Sequence, residues 1–245
     1  MEKTRITLGC DYTINNINLL KKKKIFICGF CGSGTRVPTM ILERAGYFVG
    51  GEYVRHWPEY DINGKEPNHN VMTIYYDDNY FRKNPIPLKN YLKEVINERD
   101  EWAIKYPIFM FIIPLLKEWY PDSEVIYVRR NPVDVMSHPV HYEFNWQGGL
   151  PRDAAIDDKL RYYIQSEKKI LEYTDHIVKF EDLCFNTNDT IRDLLRFANV
   201  EVNNVDVYSD LIKIPQTIGR GKEHYQRIKE MKEFDYIKEL GYLLD

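Results

Sequence analysis

The feature that most constrains the fold is an apolar run followed by a glycine-rich turn and a helical pattern. Residues 25–29 form a short continuous apolar run, which is typical of a strand buried on both faces of a parallel sheet. The glycine-rich turn at residues 29–35 comes next, and helical spacing then continues to Gly46, where a helix C-cap is expected. This order predicts an α/β domain with a phosphate-binding loop, because the N–H groups of such a turn point into one concavity and the helix adds the positive end of its dipole. A tight turn without a ligand is the alternative interpretation.

The turn differs from the loop of nucleotide triphosphatases. That loop has the pattern Gly-x-x-x-x-Gly-Lys-Ser/Thr, in which the lysine binds phosphate. Gly29 and Gly34 have the required spacing, but Thr35 stands where the lysine is required. The sequence therefore disfavours a P-loop-type nucleoside or nucleotide kinase, which we keep as the weaker alternative.

Further apolar runs predict more strands, with helical patterns between them. Strands are predicted at 102–105, 124–128 and 176–180, and helices at 88–96, 110–119, 160–171 and 191–198, with another helix opened by Asn131 and Pro132. Strands that alternate with helices indicate right-handed βαβ units. We therefore predict an α/β fold, a three-layer sandwich with a central, mostly parallel sheet. Residues 47–87, where periodicity is weak, are interpreted as loops and short helices over the active face.

Length and composition predict a single folded domain without a nucleic-acid partner. The chain has 245 residues and no linker-like stretch, which favours one domain over residues 1–245. A hydrophobic fraction of 44% excludes disorder over the whole chain. Lys and Arg number 34 against 37 Asp and Glu, a net charge of -3, whereas nucleic-acid binding requires a large basic surplus. Any anion site must therefore be a local cluster of basic groups.

Apolar runs and cysteines bear on the location of the chain. The longest apolar run, residues 108–113, is far shorter than the roughly 20 residues of a membrane-spanning helix, so no span is predicted. The N-terminal residues contain no continuous apolar stretch, and we expect no secretory signal. Four Cys in a chain of this length do not make a disulfide framework, which favours a reducing compartment and a cytoplasmic location.

Two pairs of residues have spacings found in metal or redox sites. Cys28 and Cys31 form a Cys-x-x-Cys pair, but Cys28 belongs to the predicted strand and no second pair exists to complete a zinc site. His138 and His141 have Pro139 between them and no nearby third ligand in the sequence. We therefore predict neither a redox function nor a bound metal.

Polar groups follow the carboxyl ends of three predicted strands, where ligands bind in open α/β sheets. Lys105 ends the first of these strands, and Arg129 and Arg130 end the second. Residues 180–183, Phe-Glu-Asp-Leu, end the third. The sequence therefore predicts a ligand site at this edge of the sheet.

Together with the glycine-rich turn, these segments resemble the sulfotransferase family, which uses 3′-phosphoadenosine 5′-phosphosulfate (PAPS). The family's 5′-phosphosulfate loop, Lys/Arg-x-Gly-Thr-Thr/Arg, resembles residues 32–36, and its 3′-phosphate segment, Val-x-Arg-Asn/Asp-Pro, resembles residues 128–137. Its Tyr-Glu-Asp-Leu strand end resembles residues 180–183, and its basic loop that closes over the nucleotide resembles residues 218–222. The resemblance covers roughly residues 24–225 and implies a P-loop NTPase-like sulfotransferase topology, with a core at about 24–200 and a nucleotide-covering loop at about 215–225.

The resemblance also implies which residues bind PAPS. They are Gly32, Ser33, Gly34, Thr35, Arg36, Arg130, Ser137, Arg220, Gly221 and Lys222. Arg129 and Arg130 are adjacent, and strand alternation lets only one of them point easily toward the cofactor, so the choice for the 3′-phosphate stays open. Ser137 lies seven residues after Arg130, whereas the family often has its serine at eight, where this chain has His138.

Two departures from the family pattern bear on catalysis. Gly32 stands where the family has a lysine or arginine that neutralises charge on the bridging oxygen as the S–O bond breaks. Arg36 and Lys105 are the candidate substitutes, and a weak or absent activity is the alternative. The family's histidine, two residues after the lysine of the second strand, is replaced by Pro107. A general base must still deprotonate the acceptor, and the candidates are His56, His138, Glu52, Asp61 and His69.

The implied reaction is in-line transfer of a sulfuryl group from PAPS to a hydroxyl or amine of a small-molecule, carbohydrate or lipid acceptor, with adenosine 3′,5′-bisphosphate (PAP) as product. As in phosphoryl transfer, the protein aligns the reactants and stabilises spreading negative charge. Aromatic residues of the predicted loops line an acceptor pocket or pack the loops themselves: Trp57, Tyr75, Tyr76, Tyr80, Phe144 and Trp146. A non-catalytic module that kept the fold and the nucleotide is the alternative, supported by Gly32 and the missing histidine. The acceptor and the oligomeric state stay open.

Overall fold

The sheet is parallel and places the glycine-rich turn at its centre. The computed structural model describes residues 21–49, 89, 92, 93, 96, 99–138 and 154–242. Within these residues the strands are β1 (Lys24–Cys28), β2 (Trp102–Lys105), β3 (Ser123–Arg129) and β4 (His176–Lys179), in the order β2-β1-β3-β4. Ile27 pairs with Lys105 in β2 and with Ile126 in β3. All neighbouring strands are parallel, so the carboxyl ends of the four strands lie at one edge, including those of β2, β3 and β4, as the sequence predicted.

Helices follow each of these strands and complete the fold. They are α1 (Arg36–Arg44), α2 (Ile113–Trp119), α3 (Pro132–Met136), α4 (Ile156–Leu171), α5 (Phe180–Phe185), α6 (Thr187–Phe197), α7 (Tyr225–Lys229) and α8 (Phe234–Glu239). Short 3-10 helices occupy Pro107–Phe111, Asp206–Leu211 and Lys222–His224. None of the helices that the structure describes is both long and apolar enough to cross a membrane.

The helices predicted at 160–171 and 191–198 begin one turn earlier, at Ile156 and Thr187, and two other element boundaries differ for reasons visible in the sequence. The helix predicted at 110–119 begins as a 3-10 helix, Pro107–Phe111, and α2 starts only at Ile113. Pro114 is the reason, since a proline lacks the N–H group of an α-helix interior and fits only in the first turn. Phe180, predicted to end a strand, is the first residue of α5, where Glu181 and Asp182 place carboxylates at the helix N-terminus.

The sheet has an apolar layer on each face. Ile25 and Ile27 of β1 belong to a core cluster with residues of α1 and α6. Phe26 and Cys28 point the other way, into a cluster with residues of α2, α4, α7 and α8. The ring of Phe26 meets that of Trp102 edge-on at 4.7 Å between centroids. Because alternate residues of buried strands face opposite sides, this arrangement confirms the predicted three-layer α/β sandwich.

A buried polar network connects the end of β3 to α4 and α8. Arg129 Nε donates a hydrogen bond to Glu167 Oε1 at 2.7 Å, and the Tyr236 hydroxyl donates to Glu167 Oε2 at 3.0 Å. The Glu167 side chain has no exposed surface. Burial and the charge of Glu167 raise the pKa of Tyr236, so Tyr236 stays a protonated donor. The charge of Arg129 is thus neutralised on the α4 side of the sheet.

We expect Glu167→Ala to lower the free energy of unfolding by about 3–5 kcal/mol, because it leaves the largely buried Arg129 without its carboxylate. Glu172→Ala, at an exposed position just after α4, is the matched control and is expected to change stability by no more than about 0.5 kcal/mol. Urea unfolding curves of both variants measure the difference. Equal stability of the two variants would show that the buried ion pair does not stabilise the fold.

Candidate functional site

The glycine-rich loop has a backbone that only glycine adopts easily. Gly32 and Gly34 have φ values of 81° and 89°, in the left-handed region that strains other residues. A Cβ atom at Gly34 would also overlap the ring of Phe180, the first residue of α5. The loop closes with a hydrogen bond from the Ser33 N–H to the Phe30 carbonyl at 2.9 Å. Conformation and packing therefore both require glycine at position 34.

Arg130, at the end of β3, contacts three separate parts of the site. Its Nη1 donates to the carbonyl of Gly32 at 2.8 Å, and its Nη2 donates to the carbonyl of Thr217 at 2.7 Å. The guanidinium also lies 4.7 Å from the centroid of the Phe180 ring. Burial lowers the pKa of Arg130, although the charge of Asp134 opposes this. Arg130 is thus a buried cation that connects the glycine-rich loop to residues 215–225, which we call the C-terminal loop.

Asp134, in α3, holds the C-terminal loop. Its Oδ2 accepts a hydrogen bond from the Gly219 N–H at 2.6 Å, and its Oδ1 accepts one from the Gly221 N–H at 3.0 Å. Its backbone carbonyl accepts a bond from Arg220 Nε at 2.6 Å. Only 1% of Asp134 is exposed. Charge-assisted bonds of a buried carboxylate to two N–H groups are strong, so one residue fixes the course of residues 219–221.

The glycine-rich loop, the C-terminal loop and the segment that follows α3 meet at Gly32. A Cβ atom there would lie 3.0 Å from His138 Cδ2 and 3.3 Å from Arg220 Nη2. On the other side of the C-terminal loop, a Cβ at Gly221 would lie 2.9 Å from Ser137 Oγ. Burial and the nearby charge of Arg130 lower the pKa of Arg220 to about 10. The guanidinium of Arg220 is thus held where its charge is disfavoured.

Several buried polar atoms of these segments have no hydrogen-bond partner among the described residues. They are Ser33 Oγ, Arg130 Nε, Ser137 Oγ and Arg220 Nη2. A buried donor without a partner costs free energy, and repulsion between the buried guanidinium of Arg130 and the half-buried guanidinium of Arg220 adds to that cost. A bound anion relieves both costs, because phosphate and sulfate groups accept several hydrogen bonds and carry negative charge. The residues present therefore fit a ligand with phosphate or sulfate groups.

A cavity of about 300 Å³ lies beside the meeting point. Its lining comprises Asn131, Asp134, Lys179, Glu181, Ile218, Gly219, Lys222, Tyr225, Gly241 and Tyr242. Glu181 Oε1 accepts a hydrogen bond from the Asn131 N–H at 2.9 Å, and Oε2 accepts one from the Tyr242 hydroxyl at 3.1 Å. Burial raises the pKa of Glu181, although these hydrogen bonds oppose it. The cavity combines aromatic walls with polar groups and is at the lower end of the sizes that small ligands occupy.

The structure brings most of the residues predicted to bind PAPS into one region. Gly32, Ser33, Gly34 and Thr35 lie in the glycine-rich loop, Arg130 and Ser137 follow β3, and Arg220, Gly221 and Lys222 lie in the C-terminal loop. Arg36 is the first residue of α1 and is exposed. Lys105 is only 5% exposed and lies opposite Ile27 in the register of the sheet.

Arg129 and Arg130 have different contacts in the structure. Arg129 forms the ion pair with Glu167, while Arg130 lies against the glycine-rich loop. Among the proposed bases and pocket residues, only His138 is described, and its ring packs beside Gly32. The remaining residues lie outside the described residues, and their roles stay predictions: Glu52, His56, Trp57, Asp61, His69, Tyr75, Tyr76, Tyr80, Phe144 and Trp146. His141, of the histidine pair considered above, also lies outside them.

Sequence reasoning missed two residues of the site. Asp134 falls within the segment that resembles the 3′-phosphate motif, so its place two residues after Pro132 is the signal that would have found it. Thr217, which accepts hydrogen bonds from Arg130 through its carbonyl and its hydroxyl, has no signal in the sequence. Within the part of the chain that the structure describes, no three His, Cys, Asp or Glu side chains come together as metal ligands.

Comparison with known proteins identifies the family. Residues 25–204 match the sequence pattern of the Sulfotransferase family. The chain belongs to this family of transferases, as its four segments predicted, and is a sulfotransferase by family. No protein of curated function matches the sequence.

Three solved structures share loose similarity with the chain. A sulfotransferase from Alicyclobacillus acidocaldarius has 16% sequence identity and a TM-score of 0.49, covering 85% of this chain and 91% of its own. The sulfotransferase STF9 from Mycobacterium avium has 14% identity and a TM-score of 0.46, with coverages of 78% and 67%. A shikimate kinase from Bacteroides thetaiotaomicron has 10% identity and a TM-score of 0.45, with coverages of 72% and 98%. Similarity at this level is no guide to substrate or mechanism.

We expect Gly34→Ala to lower the free energy of unfolding by about 2–4 kcal/mol, because the new methyl group adds a steric overlap with Phe180 to the strain of a positive φ. Gly46→Ala is the matched control, since Gly46 has a similar φ of 84° but would meet only the flexible end of Lys22. Its cost is about 1 kcal/mol. Thermal or urea unfolding measures both variants. An equal loss in both would mean that Phe180 does not restrict position 34.

Proposed function

We propose that the chain transfers a sulfuryl group from PAPS to a hydroxyl or amine of a small-molecule, carbohydrate or lipid acceptor and releases PAP. The observation that supports this most is the cluster of unpartnered buried donors beside the glycine-rich loop. The cluster includes two guanidinium groups, Arg130 and Arg220, whose pKa values burial lowers. Perturbed cations in a cleft are typical of functional sites, and a nucleotide with a phosphosulfate and a second phosphate supplies the anions that they need.

Each part of the site has a place in this proposal. The N–H groups of the glycine-rich loop and the hydroxyl of Ser33 bind the phosphosulfate end, while Arg130 and Ser137 bind the 3′-phosphate. The bound donor supplies an activated sulfuryl group on a good leaving group. The protein then aligns the acceptor and stabilises the negative charge that spreads during in-line transfer. Lys105 and Arg36 are the further cations proposed to act on that charge, and His138 and His56 are the proposed bases.

The cavity beside the anion cluster supports a nucleotide rather than a lone phosphate. It shares Asn131 and Asp134 with the segment that follows Arg130, and it contains the aromatic rings of Tyr225 and Tyr242. A purine ring packs favourably against aromatic side chains. In the proposed complex residues 215–225 cover the nucleotide, and residues 1–245 act as one domain. A cytoplasmic location is part of the same proposal. It rests on the small number of cysteines, which does not make a disulfide framework.

A nucleotide-binding module without activity is the second candidate. The observation that favours it is Gly32, since residues 29–35 contain no basic side chain. Transfer of labelled sulfate from PAPS to a panel of hydroxyl and amine acceptors separates the two candidates. Binding of PAP without any transfer would favour the module. Magnesium-dependent binding of ATP, with no binding of PAP, would instead revive the kinase alternative.

We expect the chain to bind PAP and Arg130→Ala to weaken this binding by about 10- to 100-fold, because charged hydrogen bonds to a phosphate are lost. Isothermal titration calorimetry measures the affinity. Arg192→Ala is the matched control: it also removes one positive charge, but Arg192 lies in an exposed ion pair with Asp189. Its affinity for PAP should equal that of the unsubstituted chain.

Arg130 also has contacts that support the fold, so its substitution needs a second variant. Arg130→Lys keeps the charge but loses the fork of donors, and it is expected to bind PAP with intermediate affinity. Circular dichroism shows whether each variant is folded. No binding by the unsubstituted chain at high micromolar PAP, or equal binding by all folded variants, contradicts the proposed function.

A further inference from the structure

The glycine-rich loop has no cation of its own. Residues 29–35 contain no lysine, arginine or histidine, and the first basic residue after them, Arg36, is exposed on α1. Transfer of a charged group from an anionic donor nevertheless requires positive charge near the bond that breaks. Another part of the chain must therefore supply it.

The C-terminal loop brings a cation to the position that a side chain at residue 32 would occupy. Arg220 Nη2 lies 3.3 Å from where the Cβ of that side chain would be, and the His138 ring lies 3.0 Å from it. The φ of Gly32 is 81°, so a larger residue there would be strained as well as crowded. The missing side chain of Gly32 and the position of Arg220 are thus complementary.

Arg220 is held at one end and has an unpartnered donor at the other. Its Nε donates to the carbonyl of Asp134 at 2.6 Å, while the adjacent residues 219 and 221 are bound by the Asp134 carboxylate. Its Nη2 is buried and has no hydrogen-bond partner among the described residues. A fixed guanidinium whose unused donor lies beside the loop is preorganised for an anion in that loop.

We propose that Arg220 contacts the 5′-phosphosulfate end of the donor and supplies the positive charge that the glycine-rich loop lacks. This inference rests on the proposed function. In the reaction the acceptor oxygen or nitrogen forms a bond to sulfur, and the bond between sulfur and the 5′-phosphate oxygen breaks. The electron pair of that bond passes to the phosphate oxygen, where Arg220 neutralises the developing charge, and the acceptor proton passes to the general base. Arg220 is then a catalytic residue on the leaving group rather than a ligand of the 3′-phosphate.

Ligands that differ by one phosphate locate the contact. Affinities of the unsubstituted chain, Arg220→Ala and Arg220→Lys are measured for PAP, adenosine 5′-monophosphate and adenosine 3′-monophosphate, by calorimetry or by displacement from PAP. We expect Arg220→Ala to weaken the binding of PAP and of adenosine 5′-monophosphate by the same factor, about 10- to 100-fold. Its affinity for the 3′-monophosphate should not change, and Arg220→Lys should recover part of the loss. Lys213→Ala, an exposed position earlier in the same C-terminal segment, is the control and should leave all three affinities unchanged.

Other results overturn the inference and separate it from the proposed function. A loss for the 3′-monophosphate alone would place Arg220 on the 3′-phosphate, and equal losses for both monophosphates would show a general charge effect. In either case the proposed function would stand, because PAP would still bind and Arg130→Ala would still weaken it. If the unsubstituted chain bound none of the three nucleotides, both the proposed function and this inference would be wrong.

Discussion

The guanidinium of Arg130 holds together three segments that are far apart in the sequence. Its hydrogen bonds reach the carbonyls of Gly32 and Thr217, and its guanidinium lies over the ring of Phe180. A cation removed from water requires such partners, so its burial and the positions of the segments depend on each other. The hydroxyl of Tyr163 donates to the carbonyl of Arg130 at 3.2 Å, which connects the same residue to α4. The geometry of the site therefore depends on this side chain more than on any single loop.

The carboxylates near the site accept hydrogen bonds from neutral donors and form no ion pair with the guanidinium groups of Arg130 and Arg220 among the described residues. Both oxygens of Asp134 accept hydrogen bonds from backbone N–H groups, and Arg220 Nε donates to the backbone carbonyl of that residue rather than to its carboxylate. Glu181 likewise accepts from the Asn131 N–H and from Tyr242. These carboxylates soften the repulsion between the guanidinium groups without pairing with them. A chain with a net charge of -3 thus keeps a local site for anions.

Local patterns predicted the sheet well and the site in part. Continuous apolar runs indicated the buried parallel strands, and Gly46 marked the end of α1, because both signals depend on residues close in the sequence. The choice between Arg129 and Arg130 could not be predicted, since strand alternation allows either to face the loop. In the structure Arg129 pairs with Glu167 of α4, whereas Arg130 lies against the glycine-rich loop. Thr217 could not be predicted either, because it accepts a hydrogen bond from Arg130, which is far from it in the sequence.

The contact between Phe180 and Gly34 makes the first residue of α5 part of the wall of the glycine-rich loop. The ring lies against the backbone at Gly34 and also contacts the guanidinium of Arg130. A larger side chain at position 34 therefore requires a smaller side chain at position 180. An attempt to reshape the loop for a different donor should substitute these two positions together, because the size of one side chain limits the size of the other.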